Sequence, residues 1–91
     1  MQEKILNEAR LKIAGFLKNR RLELGLTQKE VAQRTGMARE TINRMEQGFF
    51  WLGMKQFLLI CEALRLVPEI TEIRSGEDIA GSILKAWDLT Q

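Results

Sequence analysis

The sequence predicts a small all-α domain on three observations. Its 91 residues, 45% hydrophobic and 29% charged, suit one folded core and exclude a multidomain or disordered protein. Apolar residues recur at helical spacing along most of the chain. Glycines and helix-start residues separate these apolar segments from one another. We therefore predict a bundle of four to five helices over residues 1–66 and a C-terminal extension over residues 67–91.

The composition also excludes several classes of function. With one cysteine and no histidine, the chain has no internal disulfide, no Cys/His zinc site and no catalytic centre built on histidine. We therefore expect no metal, no cofactor and no enzymatic activity. No apolar run approaches the roughly 18 residues of a membrane span, and the charged N-terminus lacks the apolar stretch of a signal peptide. This predicts a cytoplasmic protein with no membrane partner.

The positive charge lies in the N-terminal half of the chain. Residues 1–48 carry ten basic groups against six acids, whereas residues 49–91 carry four against six. An excess of this size is common on protein surfaces, but its placement is typical of a face that binds a polyanion beside a segment with another task.

The first helix is predicted from about Glu3 to Leu24. Its apolar residues follow a helical spacing, with charged residues between them. Gly25 suits the left-handed position that ends a helix. The segment from Thr27 to Glu30 then has the S/T-x-x-E form of a capping box, in which side chains satisfy free N–H groups at the start of a new helix. The apolar positions are Ile5, Leu6, Ala9, Ile13, Leu17 and Leu24.

Two short helices follow, separated by Gly36. The first covers about residues 28–35, and the second carries Ile42 and Met45 three residues apart. Helices that cross at roughly 90 to 120° need a small residue where the backbones approach, a glycine in the turn and an apolar residue that locks the second helix. Those three residues are Ala32, Gly36 and Ile42. Residues 28–47 are therefore predicted to form a helix-turn-helix.

This segment resembles the DNA-binding domains of the lambda-repressor-like, Xre-type family. The resemblance extends without a gap from about Ile13 to Leu66, which is roughly 60% of the chain. Outside the motif it depends on Gly25-Leu26-Thr27-Gln28, Glu46-Gln47-Gly48 and Glu62-Ala63-Leu64. It implies a helix-turn-helix bundle that places the second helix of the motif, at about residues 39–47, in the major groove of double-stranded DNA.

The polar face of that second helix supplies the expected DNA contacts. With Ile42 and Met45 turned inward at about 100° per residue, the opposite side presents hydrogen-bonding side chains. An arginine can bind guanine in a fork and Glu40 can accept from cytosine, while the resemblance implies that Gln28 binds a phosphate. The alternative for Glu40 and Arg44 is an ordinary ion pair on a solvated face. The expected base contacts are Arg39, Glu40, Asn43 and Arg44, and the expected phosphate contacts are Gln28, Lys29, Thr41 and Gln47.

Other residues around the motif are assigned to structure. Arg21 and Glu46 resemble the family's ion pair, which ties the first helix to the end of the recognition helix. Ala38 stands where the family usually has Ser or Thr, which forfeits roughly 1 kcal/mol of helix capping and with it a phosphate contact. Thr35 replaces a larger aliphatic residue, which we interpret as a packing variation.

Surplus apolar residues follow the motif and predict an interface. The run Phe49-Phe50-Trp51-Leu52 lies in a loop, where one or two of its members can cover the core but not all four. The next helix, predicted from Met54 to Arg65, has Leu59 on the side away from its inward stripe. Because exposed apolar patches mark contact surfaces and two-fold dimers read operators with repeated half-sites, we predict a homodimer. The inward stripe consists of Met54, Phe57, Leu58, Cys61 and Leu64, with Cys61 as a small core residue.

The C-terminal extension lies outside the resemblance. β-branched residues from Val67 to Ile73 favour a short strand, although Pro68 also permits a first helical turn. Such a strand would pair across the dimer. Residues 77–88 predict an amphipathic helix, which can fold back on its own core or clamp a partner. The predicted dimer or partner interface consists of Phe50, Trp51, Leu52, Leu59, Ile70, Ile73, Ile83 and Trp87.

Two classes of function follow from these features. The first is a dimeric, sequence-specific DNA-binding regulator of bacterial or phage type, most simply a repressor that occupies a palindromic operator. An antitoxin that represses its own operon and binds a cognate toxin belongs to this class, and copurification of a small neighbouring protein would distinguish it. The second class is a protein-interaction adaptor that keeps the fold without reading DNA, which would show only weak, salt-labile nucleic-acid binding.

Overall fold

The computed structural model describes residues 1–70 and residue 72, and this part of the chain forms four α-helices and no strand. The predicted all-α bundle is confirmed, and each helix begins where the sequence predicts it. The four helices are α1 (Glu3–Glu23), α2 (Gln28–Thr35), α3 (Arg39–Glu46) and α4 (Met54–Ala63). Within the described residues, no helix combines the length and the apolar character needed to cross a bilayer.

The start of α2 has the capping box that the sequence predicts. The Glu30 N–H donates to Thr27 Oγ1 over 3.0 Å, and the Thr27 N–H donates to Glu30 Oε1 over 3.1 Å. These bonds satisfy backbone donors that would otherwise be left unpaired. Because the carboxylate accepts the Thr27 N–H, the pKa of Glu30 lies below its ordinary value. α3 has no such cap, since the preceding Ala38 offers no side-chain acceptor.

The end of α3 is closed by a pair of backbone hydrogen bonds, the Schellman motif. The Gly48 N–H donates to Met45 O over 2.9 Å. The next N–H, that of Phe49, donates to Arg44 O over 3.2 Å. The same pair of bonds ends α1 and α4. After α4 the left-handed position is held by Arg65 at φ 57°, the one non-glycine residue with positive φ in the described part of the chain.

The hydrophobic core lies where the four helices meet. Every helix contributes at least one side chain to it, and α2 packs against both α3 and α4 while α1 packs against α3. The small side chain of Ala32 is buried in this cluster, as the crossing of α2 and α3 requires. The largest side chains that are almost fully removed from solvent are Leu17, Val31, Ile42, Ile60 and Leu64.

Thr35, at the end of α2, is buried, and its hydroxyl both donates and accepts a hydrogen bond. Thr35 Oγ1 donates to Val31 O over 2.9 Å and accepts the Met37 N–H over 3.3 Å. A buried hydroxyl is tolerated when it is hydrogen-bonded. Here it binds both the last turn of α2 and the first residue beyond Gly36, so it also holds the turn between the two helices.

The inward face of α4 differs from the predicted stripe. Met54 and Leu58 are 72% and 48% exposed, so their assignment to the core is wrong. Phe57, Cys61 and Leu64 do face inward, and Ile60, which the stripe omits, is completely buried. The reason is that α4 carries apolar residues around nearly all of its circumference, so helical spacing alone is compatible with more than one inward face.

The first residues of the C-terminal extension form neither helix nor strand. The strand expected from Val67 is absent at residues 67–70 and at residue 72, and Ile70 is fully exposed. A strand needs a neighbour to satisfy its backbone groups, and the described part of the chain contains no other strand. The other positions of the expected strand, Thr71 and Ile73, lie outside the described residues. So does the expected helix of residues 77–88 with Ile83 and Trp87.

Candidate nucleic-acid interface

The helix-turn-helix of α2 and α3 presents one face of α3 to solvent. Gly36 joins the two helices at φ +73°, a left-handed conformation that a residue with a side chain adopts only with strain. Ile42 and Met45 are buried and lock α3 onto the core, as the sequence predicts. On the opposite side, Thr41 and Asn43 are half-buried, while the exposed positions are Arg39, Glu40, Arg44 and Gln47.

The exposed side chains of α3 are available to a ligand. Among the described residues, Arg39, Glu40 and Arg44 make no side-chain hydrogen bond or ion pair. The i,i+4 ion pair between Glu40 and Arg44, the structural alternative for these residues, therefore does not form. Two guanidinium forks and one carboxylate are thus displayed along a single helix face, which is a set of donors and acceptors suited to base edges.

The charge around this face is positive. The segment of α2 and α3 carries four exposed cations. Its acids outside the core are the exposed Glu40 and the half-buried Glu30. The third acid of the segment, Glu46, is buried and paired. An open depression of about 660 Å³ lies beside the start of α2, where Lys29 and Arg39 both line it. The exposed cations are Lys29, Arg34, Arg39 and Arg44.

Gln28 connects α2 to α3. Its amide nitrogen donates to Asn43 Oδ1 over 3.1 Å and to Glu46 Oε1 over 3.0 Å. The side-chain donor of Gln28, which the family resemblance predicts to bind phosphate, is therefore engaged within the protein. The backbone N–H groups of Gln28 and Lys29 have no hydrogen-bond partner among the described residues, as is usual in a first helical turn.

The expected partners Arg21 and Glu46 lie in direct contact. Arg21 Nε donates to Glu46 Oε2 over 2.7 Å, and Arg21 Nη2 donates to Glu46 Oε1 over 3.0 Å. Arg21 Nη1 also donates to Leu26 O over 2.8 Å. Both charged side chains are buried, so this bidentate pair and the bond from Gln28 form one satisfied polar network beneath α3. The pair joins α1 to the last residue of α3.

Arg10, which is not among the predicted site residues, also binds the segment that closes α3. Its Nε donates to the Gly48 carbonyl over 2.7 Å. The signal available in the sequence is spacing, because Arg10 lies eleven residues before Arg21 and eleven residues return to nearly the same face of a helix. That spacing has meaning only once the Arg21 contact is known.

An apolar groove lies beside the recognition helix. Its volume is about 210 Å³, and it is bounded by α1, Met45 of α3, the loop after α3 and the start of α4. Of the predicted interface residues, Phe50 and Leu52 are half-buried against the core, Leu59 is half-buried and Trp51 is 48% exposed. Phe49, which the predicted interface leaves out, is the most exposed member of its run at 62%. The apolar walls of the groove suit packing rather than chemistry.

Comparison with known proteins agrees with this geometry. A search of curated proteins finds no match. A family model described as helix-turn-helix matches residues 17–70, a range that begins in the last third of α1 and includes α2, α3 and α4. The match covers more than half of the 91 residues. The chain therefore belongs to the helix-turn-helix family of the Xre or lambda-repressor-like type, and it carries the DNA-binding domain of a transcription regulator.

Proposed function

We propose that the protein is a sequence-specific repressor, which binds a palindromic operator as a homodimer and reads its bases with α3. The observation that carries this proposal is the unpaired polar face of α3, held by a buried network on its other side. Many helices expose a polar face without binding anything through it. Here, however, Arg39, Glu40 and Arg44 are all unpaired, and they lie on the helix that the family inserts in the major groove.

The base contacts follow from the donors and acceptors of this face. Arg44 and Arg39 can each bind guanine O6 and N7 in a fork, and Glu40 can accept from cytosine N4. Asn43 offers its amide NH₂ group, because its Oδ1 already accepts from Gln28. Thr41, which is half-buried beside these residues, is within the same face and is assigned to phosphate.

Phosphate contacts are expected at the two ends of this surface. The start of α2 carries a partial positive charge from the helix dipole. It presents the unpaired N–H groups of Gln28 and Lys29 together with the Lys29 ammonium group. The Gln28 side chain then serves to orient Asn43, and Gln28 itself meets phosphate through its backbone. At the other end, the exposed Gln47 follows α3 and can donate to the sugar-phosphate backbone.

Dimerisation is supported by the exposed apolar residues beyond the recognition helix. Trp51 and Met54 are exposed and line the groove together with the inward-facing Met45, and Leu58 is exposed further along α4. Clustered apolar exposure of this kind is typical of a contact surface. A two-fold dimer through this surface should place the two recognition helices about 34 Å apart, which is one turn of DNA.

The test is selection of bound sequences from a random DNA pool at about 150 mM salt. We expect a palindromic site with half-sites about 10 bp apart. The Arg44→Ala variant should lose its preference at one base position of each half-site, whereas Lys29→Ala should weaken binding to all sequences alike.

Two results would contradict the proposal. If a folded sample enriches no sequence, the family fold serves here as an adaptor. If Arg44→Ala selects the same sites as the wild type, α3 does not read bases through that residue. The apolar groove favours one variant of the proposal, an antitoxin that holds a small partner protein there, and copurification of such a protein would identify it.

A further inference from the structure

Arg10 lies before the segment that matches the family model, yet its side chain binds Gly48, directly after the recognition helix. Its Nε donates to the Gly48 carbonyl over 2.7 Å, and its Nη1 donates to Asn7 Oδ1 over 2.9 Å. The guanidinium carbon lies 6.0 Å from the centre of the Trp51 ring, within range of a cation–π contact. The side chain is therefore fixed on three sides by groups of the protein itself.

The Gly48 carbonyl is a rigid target for this bond. Gly48 is buried, its φ is +74°, and the two Schellman hydrogen bonds after α3 fix its orientation. Leu11, the neighbour of Arg10 on α1, packs directly on it, because a Cβ atom at Gly48 would lie 2.6 Å from Leu11 Cδ2. A hydrogen bond to this carbonyl therefore acts on the end of α3 and not on a loose loop.

Two arginines of α1 bind the end of α3 at separate points. Arg10 and Arg21 are eleven residues apart, about three helical turns and roughly 16 Å along the axis, and so lie on nearly the same face. Their targets, Gly48 and Glu46, are only two residues apart. Between the two arginines, α1 forms one wall of the apolar groove, and Met45 of α3 lines the same groove. A helix end attached at one point can pivot about it, whereas attachment at two points fixes its direction.

We propose that Arg10 is a positioning residue for the recognition helix. By holding Gly48, it sets the angle at which Arg44 and Gln47, at the same end of α3, meet the DNA, and it makes no DNA contact itself. This inference depends on the proposed function of α3 in reading bases. It assigns a DNA-recognition role to the N-terminal part of α1, which lies outside the family match.

Three substitutions separate this role from a charge effect. Arg10→Gln keeps an N–H donor at the position of Nε but removes the charge. Arg10→Met has a side chain as long as that of glutamine, without charge or donor. Arg10→Lys keeps the charge and has a methylene group at the position of Nε. Arg10→Gln and Arg10→Met are thus a matched pair that differ in the hydrogen bond to Gly48.

The measurement is the dissociation constant of each variant for the selected operator and for a random duplex, across a range of salt concentrations. For Arg10→Met we expect a loss of about tenfold on the operator, the size expected for one charge-assisted hydrogen bond, with the random duplex bound almost as before. Arg10→Gln, whose neutral N–H donor makes a weaker hydrogen bond, should recover part of the loss, and the salt dependence of all variants should match the wild type.

Several outcomes would overturn the inference. If Arg10→Lys binds normally while Arg10→Gln and Arg10→Met lose affinity equally for both duplexes, with a shallower salt dependence, Arg10 is a phosphate contact. If all three variants bind like the wild type, Arg10 does not position α3. A wild-type protein that selects no operator would contradict the proposed function instead.

A measurement without DNA keeps the inference testable if a variant is unstable. Amide hydrogen exchange at Gln47, Gly48 and Phe49 reports on the last turn of α3. Exchange there should accelerate in Arg10→Met and much less in Arg10→Gln, while the N–H groups in the middle of α2 keep their wild-type protection. Equal acceleration in all four helices of Arg10→Met would show a loss of global stability and contradict a local role.

Discussion

Glu46 is a buried carboxylate that accepts three hydrogen bonds, two from Arg21 and one from Gln28. A charge removed from water is tolerated only when it is paired and its lone pairs are used. The bonds cross 25 and 18 residues of sequence, so they join α1 and α2 to the same point of α3. The orientation of the recognition helix is thus set by a buried network that touches the polar face of α3 only at the half-buried Asn43, through Gln28.

Arg65 is a site where a single substitution should raise stability. It holds the left-handed position after α4 at φ 57°, a conformation that costs a residue with a side chain about 1 kcal/mol or more. We expect Arg65→Gly to increase the free energy of unfolding by about 1 kcal/mol, which corresponds to a melting temperature roughly 4 to 8 °C higher in a domain of this size. Thermal unfolding followed by circular dichroism measures the change.

The matched control at this position is Arg65→Ala. Alanine removes the same charge and the same side-chain atoms but keeps the Cβ atom that makes positive φ unfavourable. Its melting temperature should stay close to that of the wild type. If Arg65→Ala is as stabilising as Arg65→Gly, the gain comes from losing the arginine side chain and the backbone explanation is wrong.

The individual contacts of the site were predictable to different degrees. The contact between Arg21 and Glu46 could be anticipated from the family resemblance. The bonds of Gln28 could not, because they connect residues 15 and 18 positions apart and depend on the crossing of α2 and α3. The role of the Thr35 hydroxyl could not be predicted either. The sequence indicates only a packing variation at this position, whereas the hydrogen bonds that hold the turn depend on the folded backbone.

At the scale of the elements, the helix starts were the most predictable features. Local chemistry determines them, since the capping box of α2 and the glycines that separate the helices act within a few residues. The inward face of α4 was less predictable, because Ile60 and Leu58 are equally apolar and the packing against the rest of the core decides which of them is buried.

The capping box makes the stability of α2 depend on pH. The pKa of Glu30 is lowered in the folded state, chiefly by the hydrogen bond from the Thr27 N–H. A lowered pKa in the folded state contributes stability above the unfolded value of about 4.3, and this contribution is lost as the pH falls through the folded value. Glutamine can take the same place in a capping box without titrating. We therefore expect the melting temperature of the wild type to fall further than that of Glu30→Gln between about pH 5 and pH 3.

Glu8→Gln is a suitable control for this experiment. Glu8 is a half-buried acid of α1 with no capping role, so its removal should leave the extra acid sensitivity of the wild type in place. Parallel pH profiles for the wild type and Glu30→Gln would mean that the Thr27 cap contributes nothing that depends on the carboxylate charge.

At the scale of the whole molecule, the exposed side chains after the first helix include two distinct groups, the polar residues of α3 and the apolar residues of the loop and α4. Trp51 lies in the second, at the edge of the groove that α1 also lines. The division into residues 1–66 and residues 67–91 stays a prediction, as does the assembly. Neither follows from helical periodicity. For the assembly in particular, the exposure of an apolar patch in one chain does not identify the molecule that covers it.

The dimer can be tested at Trp51. Trp51→Gln replaces an exposed aromatic side chain by a polar one, and we expect it to shift the molecule from dimer to monomer in sedimentation velocity experiments. Leu22→Gln is the matched control, since Leu22 is 55% exposed on α1 and belongs to no predicted interface. A wild type that sediments as a monomer at concentrations well above those of DNA binding would contradict the predicted dimer.

The two ends of α3 are held very differently, and this difference has a consequence for how strictly an operator is read. The far end is closed by the Schellman motif and attached to α1 through Arg21 and Arg10, whereas the near end follows Ala38 and has no cap. Because an uncapped helix end opens more readily than one held by tertiary contacts, we expect side chains near the start of α3 to adjust to a mismatched base more easily than those near its end. Discrimination is therefore expected to be graded within each half-site, strict at the base pair under Arg44 and tolerant under Arg39 and Glu40. We therefore expect one protein to bind a set of related operators that differ at the tolerant positions.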